Sequence, residues 1–258
     1  MAYFEVSADA YARFMGRFST PLSVPFADLG LAGVEPGAGA GRVLDVGCGP
    51  GILTAELVRR FGEEAVAAVD PSAAFVDAAA ATFPAADVRR ASAEQLPFDD
   101  ASFDAALAQL VVHFMADPVA GLREMARVTR EGGRVSACVW DHAGETGPLS
   151  GFWRLAIAVD PETVGEGQLA GARQGELADL LTRAGLREVR ETALTVSVRF
   201  ETFEDWWTPY TLGVGPAGAH VTGLDDTGRE RLVTALREEY GAGPFTIDAT
   251  AWAGTGAR

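Results

Sequence analysis

An apolar run, Val43-Leu44-Asp45-Val46, passes straight into Gly47-Cys48-Gly49-Pro50-Gly51, and a second apolar run, Val66-Ala67-Ala68-Val69, ends in Asp70. A strand, close-set glycines, a helix and then an acid about twenty residues on describe a βαβ unit with a nucleoside cofactor site at its turn. Glycine lets the backbone approach a ligand with no Cβ in the way and opens turns closed to other residues. A carboxylate closing the second strand can accept both hydroxyls of a ribose.

Which nucleoside is bound depends on charge. A dinucleotide site usually reads G-x-G-x-x-G and sets a pyrophosphate on a helix N-terminus. Here the spacing is G-x-G-x-G, and Asp45 lies two residues before the first glycine. A carboxylate beside a pyrophosphate is repulsive, whereas it suits an ammonium or a sulfonium. A glycine turn with no ligand at all is the third reading.

The strand-helix alternation extends well beyond the loop. From Gly41, apolar runs near 42–46, 65–70, 86–90, 103–109 and 133–140 read as strands, with amphipathic helices near 51–61, 72–83 and 117–130 between them. That order predicts a parallel sheet with helices on both faces. Residues 173–184 read as a further helix ending at Gly185, and 194–200 as a strand with β-branched alternation. Pro244 to Trp252 reads as the last, antiparallel strand. The expected fold is α/β, doubly wound and Rossmann-like, with a mostly parallel seven-stranded sheet and helical cap segments.

Residues 1–40 are expected to form an N-terminal helical lid and linker ahead of the main domain at 41–258, with cap insertions near 141–172 and 201–243. Between about Ser7 and Leu29, Tyr11, Phe14, Met15 and Phe18 follow helical i, i+3, i+4, i+7 spacing. Such a face either packs on the domain or closes over the cofactor. The run Glu35-Pro36-Gly37-Ala38-Gly39-Ala40-Gly41 reads as a flexible linker.

The formal net charge is -15, from 36 acidic residues against 21 Lys plus Arg. This opposes nucleic-acid backbones and anionic membranes, and favours a small neutral or cationic substrate. Cys48 and Cys138 fall on separate segments, so no disulfide framework is expected and a reducing cytoplasm fits. The N-terminus lacks the basic start and apolar core of a signal peptide, and no apolar run is long enough to span a bilayer.

The glycine segment resembles the first motif of class I S-adenosylmethionine (SAM) dependent methyltransferases. Ser92-Ala93-Glu94-Gln95-Leu96-Pro97-Phe98-Asp99-Asp100-Ala101-Ser102-Phe103-Asp104 is similar to the third block of the ubiquinone/menaquinone-biosynthesis-like (methyltransferase type 11) subfamily, and Leu122 to Gly133 resembles its later helix-turn-strand block. The likeness covers about residues 40–140. It implies that Gly47, Gly49 and Gly51 lie against the methionine part of SAM, with the small Cys48 beside them and Asp45 toward the charged end. Asp70 would accept the ribose hydroxyls and Pro71 would lie near the adenine edge. Ser92 stands where the family commonly has an acid for the adenine amino group, and a hydroxyl accepts more weakly. The Ala93 amide would meet a ring nitrogen, and Gln109 and Leu110 would line the methionine pocket. Tyr11 and Arg17 match an aromatic and an arginine that fold over the cofactor in some members, Arg17 offering a counter-charge to the SAM carboxylate.

Methyl transfer from a sulfonium to a small organic acceptor, leaving S-adenosyl-L-homocysteine (SAH), is an in-line displacement in which alignment carries much of the rate. The leaving thioether is neutral, so only a base is ever needed, and only when the accepting atom must lose a proton. His113, after the fourth strand, is the leading candidate base, with packing as the alternative in its apolar run. His142 is second, unless it is a surface loop pair with Asp141. His220 is given no role, and no close metal-ligand spacing is present. Trp153, Phe203, Trp206, Trp207 and Tyr210 read mostly as core between cap and sheet, or else as an apolar acceptor pocket. The lysine-free, alanine- and arginine-rich composition suits a high-GC bacterium, where natural-product or quinone-like acceptors in secondary metabolism are plausible. The rival functions are a SAM-binding protein that catalyses a rearrangement or cyclisation or is a non-catalytic partner, and a nicotinamide oxidoreductase.

Overall fold

A computed structural model describes residues 8–34 and 41–258. Most of the expected linker, 35–40, lies outside the described residues. Strands β1 (Val43–Val46), β2 (Val66–Asp70), β3 (Asp87–Arg90), β4 (Phe103–Gln109), β5 (Thr129–Trp140), β6 (Arg187–Phe200) and β7 (Phe245–Ala257) form one sheet in the order β3-β2-β1-β4-β5-β7-β6. Strands β1 to β5 pair in parallel, and β7 runs antiparallel to both neighbours, β5 and β6. This is the doubly wound, mostly parallel sheet with an antiparallel last strand.

Burial explains why the central strands read as near-continuous apolar runs. Every residue of β1, β2 and β4 is buried, because both faces of a parallel sheet are covered. Side chains alternate between two cores: Ala105 and Leu107 face one, Ala106 and Ala108 the other. Helices α3 (Ile52–Phe61), α4 (Ala73–Thr82) and α5 (Pro118–Val128) are the crossovers. Helix α5 starts where its sequence dictates. The Asp117 carboxylate accepts the Ala120 N–H at 3.0 Å and Pro118 fills the first turn, while Leu122, Met125 and Val128 face the core.

The expected N-terminal helix is two helices, α1 (Ala8–Phe14) and α2 (Gly16–Gly30), broken at Met15. Only α1 sits over the cavity described below. Helix α2 belongs to the sheet's covering layer: Phe18, Leu22 and Phe26 are buried, and lifting them into water would cost roughly 1.5–3 kcal/mol each. The lid reading therefore narrows to α1.

Other boundaries shift for local reasons. Arg130 to Gly133, expected as a turn, belongs to β5, with Gly132 in the left-handed region beside a register shift opposite Phe103 and Ala105. Strands β6 and β7 are longer than expected because they pair with each other along Arg187 to Phe200. Of the two segments outside the minimal sheet, the first is mostly turns around one helix, α6 (Ser150–Val159), and the second is largely helical, with α8 (Phe203–Trp207), α9 (Gly215–Gly223) and α10 (Asp226–Tyr240). Helix α7 (Glu176–Arg183) precedes β6. Among the described residues, no helix is long and apolar enough to cross a membrane.

Candidate cofactor and acceptor cavity

Strand order reverses between β1 and β4, since β1 leads outward to β2 while the chain returns to β4 on its other side. Crossovers leaving such a point to opposite faces open a crevice at the strands' carboxyl ends. A cavity of about 810 Å³ lies there.

Its floor is the glycine loop. The Gly47 and Cys48 N–H groups both donate to the Val69 carbonyl, at 2.8 and 2.9 Å, tying β1's turn to β2. Gly47, Gly49 and Gly51 all have positive φ, a region costly for other residues. A methyl group on Gly47 would stand 2.4 Å from a Val111 methyl. Asp70 ends β2 and is fixed by two backbone donors: Gly49 N–H to one oxygen at 2.9 Å and Ser72 N–H to the other at 2.8 Å. Each oxygen keeps a further lone pair, and Asp70 lines the cavity. Burial raises its pKa, and the two N–H donors work against that.

Of the residues expected to hold a cofactor, Tyr11, Gly47, Gly49, Asp70, Pro71, Ser92, Ala93, Gln109 and Leu110 are brought together around this space. Gln109 donates through its amide to the Ser19 carbonyl at 2.9 Å, leaving its own buried carbonyl oxygen without a partner. Leu110 takes a left-handed conformation (φ 63), a strain of about 1–3 kcal/mol for a non-glycine residue that concentrates at functional sites.

Four expected residues stand elsewhere. Asp45 is buried behind the loop, one oxygen accepting from the Thr54 hydroxyl at 2.6 Å and the other unpartnered. Burial pushes its carboxyl up to about 7. Cys48 turns inward, and burial raises its thiol pKa well above normal. Gly51 caps α3 beneath Phe83. Arg17 is the clear departure. Its guanidinium pairs with Asp205 at 2.7 Å, donates to the Arg199 carbonyl at 3.2 Å and lies 4.3 Å from the Phe200 ring centroid. It clamps α2 to α8 and β6 and contributes no charge to the cavity lining.

The two histidines expected as candidate bases also line this cavity. His113 lies in a single 3-10 turn, Val112–Phe114, after β4, and His142 follows β5; their ring centroids are 6.0 Å apart. Both are buried, so the expected surface-loop pair of Asp141 and His142 does not exist. Asp141 instead binds its own turn, accepting from Gly144 N–H and the Thr146 hydroxyl. Burial drives the His113 pKa well below normal and that of His142 to about 4, so both rings are neutral at pH 7. The His113 Nδ1 has no partner.

The cap aromatics Trp153, Phe203, Trp206, Trp207 and Tyr210 are absent from the lining and belong to the core. Tyr210 stacks on Phe152 at 4.7 Å and meets Trp206 edge-on at 5.0 Å. Phe14, Phe75, Phe114 and Trp140 supply the apolar walls instead.

Sequence reasoning missed Glu166. This buried side chain lines the cavity and accepts the Trp153 indole N–H at 2.8 Å. Burial, partly opposed by that hydrogen bond, pushes its carboxyl up to about 7. An acid between two glycines in a suspected cap was the available signal.

Residues 44–137 match the family described as methyltransferase domain. An uncharacterized methyltransferase from Mycobacterium tuberculosis is 42% identical over 108 residues, covering 42% of this chain and 43% of that protein, so the chain's match spans less than half of that relative's length. The YcgJ protein of Bacillus subtilis has the same fold, with a TM-score of 0.56 and 20% identity over 93% of this chain and 97% of the other. An uncharacterized methyltransferase from Mycobacterium sp. (strain JLS) is 33% identical over 204 residues, 76% of this chain and 80% of that protein. With a match of that length and identity, the chain belongs to the methyltransferase family.

Proposed function

We propose that this protein transfers a methyl group from SAM to a small organic acceptor held in the same cavity. The observation that carries the reading is Asp70, aimed into a glycine-floored crevice with both oxygens fixed by backbone N–H donors. The residues fit the cofactor. The loop brings Gly47 and Gly49 to the cavity wall with no side chain in the way, and Gln109, also in the lining, has an unpartnered buried carbonyl. Pro71, Ser92 and Ala93 would flank the adenine, and Asp70 would receive the ribose hydroxyls.

Bound there, SAM supplies an electrophilic methyl group on a sulfonium. The chain's own contribution is alignment and water exclusion, from Tyr11, Phe14 and Met15 on one side and Val214 to Ala217 on the other. Asp45 and Asp70, both buried, supply a field that favours a cation over a pyrophosphate. His113 and His142, neutral and close together, would hydrogen-bond the acceptor; burial makes them weak proton takers. The cavity's size, about 810 Å³, and the net charge of -15 support a small-molecule acceptor, with no nucleic acid or membrane partner. Two free, buried cysteines support a reducing cytoplasm.

The test is incubation with methyl-labelled SAM and a panel of small aromatic and natural-product acceptors, with detection of SAH and labelled product. Stoichiometric SAH and methylated product are expected. A changed acceptor without SAH would point to the non-transferring alternative.

A further inference from the structure

The acceptor side of the cavity has a definite polarity. Among the described lining residues the only guanidinium or ammonium is that of Arg90, which donates to the Pro71 carbonyl at 2.9 Å and so belongs to the adenosine end. Around the two neutral imidazoles lies the carboxyl of Glu166; the other lining carboxyls are Asp70, held by Gly49 and Ser72, and Glu94, which accepts the Ala116 N–H at 2.8 Å. Among the described lining residues the acceptor side carries no guanidinium or ammonium to neutralise a carboxylate or phosphate on the acceptor.

Glu166 is placed rather than incidental. Gly165 packs beside Trp153, where an added methyl would lie in ordinary contact with the ring at 3.5 Å, and Gly167 lies beside the His142 carbonyl at the equivalent distance of 3.6 Å. The two glycines seat the segment between Trp153 and His142 and carry Glu166 to the cavity wall. The Trp153 indole N–H then occupies one carboxylate oxygen. Indole only donates, so this bond selects an acceptor group at position 166 and fixes its orientation. The mechanism above leaves this buried acid unused.

We infer that Glu166 receives the proton of the acceptor, which is a protic and non-anionic molecule presenting an O–H or N–H between Glu166 and the His113–His142 pair. The inference rests on SAM-dependent methyl transfer in this cavity. In the step, a lone pair of the acceptor's oxygen or nitrogen forms the bond to the methyl carbon as the carbon–sulfur bond breaks. The pair in that bond goes to sulfur, giving a neutral thioether, and the acceptor's proton passes to Glu166, giving a neutral carboxylic acid. With its carboxyl near 7, Glu166 has an ionised form available at neutral pH and is a stronger base than either histidine.

Glu166→Gln reverses the polarity without changing shape. The Trp153 N–H holds the glutamine carbonyl, so the amide NH₂ faces the cavity and puts a donor where the carboxylate oxygen accepted. The experiment titrates SAH-loaded wild-type and E166Q protein with 4-ethylphenol, 4-ethylaniline and 4-ethylbenzoate by calorimetry, alongside SAH affinity and Tm. Wild type should bind the phenol or the aniline about tenfold tighter than the benzoate, the tighter of the two naming the heteroatom. In E166Q that preference should vanish, with SAH affinity unchanged within about twofold. A wild-type preference for the benzoate, no discrimination or binding among the three, or an intact preference in E166Q would overturn the inference. The wild-type comparison decides even if E166Q folds poorly. Failure of wild type to bind SAH at all would remove the cofactor reading and this inference with it.

Discussion

Replacing Asp45 with Asn should make the protein more stable at alkaline pH while weakening its preference for a cationic ligand. The Asp45 carboxylate is 1% exposed, with one oxygen on the Thr54 hydroxyl and the other on nothing. Burial lifts its pKa from 3.8 to about 7, with the Thr54 hydrogen bond opposing and Asp70 adding. A carboxyl whose folded pKa is raised contributes stability that is fully present below the unfolded pKa and lost as pH rises through the folded one. Between about pH 5.5 and the folded value near 7, the loss at 1.36 kcal/mol per pH unit is roughly 2 kcal/mol. Wild type should therefore fall relative to D45N by about 2 kcal/mol, or ~4–8 °C in Tm, between about pH 5.5 and pH 8.5. Acids with depressed pKa values, such as Asp87 and Glu124, shift both proteins alike, so the difference between them isolates position 45. Scanning fluorimetry at the two pH values measures this, and calorimetry adds the second half: the ratio of SAM to SAH affinity should drop in D45N, since only SAM carries the sulfonium. A Tm difference that is the same at both pH values, or an unchanged ligand ratio, would refute the reasoning.

Gly47→Ala adds a methyl group 2.4 Å from Val111 at φ +72, so SAM affinity should drop at least tenfold by calorimetry, with a stability loss of about 1–3 kcal/mol. Arg17→Met should lower Tm by the loss of a partly exposed ion pair, about 0.2–1 kcal/mol, and leave SAM affinity unchanged; a large affinity loss would restore the expected counter-charge role. Trp206→Ala should cost about 3–5 kcal/mol in a denaturant titration, and the fraction that remains folded should keep the acceptor KM, since this ring packs on Tyr210 and Tyr240 away from the cavity.

The sheet and the glycine turn at the cavity floor were legible because their signals are local. Glycines at 47, 49 and 51 adopt the positive φ that only glycine accepts cheaply, and buried parallel strands must be continuous apolar runs. What was not legible depends on partners far along the chain. Arg17 reads like a lid cation, but Asp205, 188 residues away, claims it. The glycine-rich run at 215–218 shows no helical signal of its own, yet 215–223 forms α9, with Ala217 and Val221 buried in the core. Helical periodicity runs through Met15 without showing the break between α1 and α2. Glu166 looks like a solvated loop acid until Trp153 and the cavity enclose it.

Titration calorimetry of wild-type and Asp70→Ala protein with SAM, SAH and NAD addresses the central claim most directly. Wild type should bind SAM and SAH and ignore NAD, and loss of the ribose contacts, each worth about 1.5–3 kcal/mol, should weaken both by roughly two orders of magnitude or more in D70A. Tight NAD binding, or a folded D70A protein that holds SAM as well as wild type does, would contradict it.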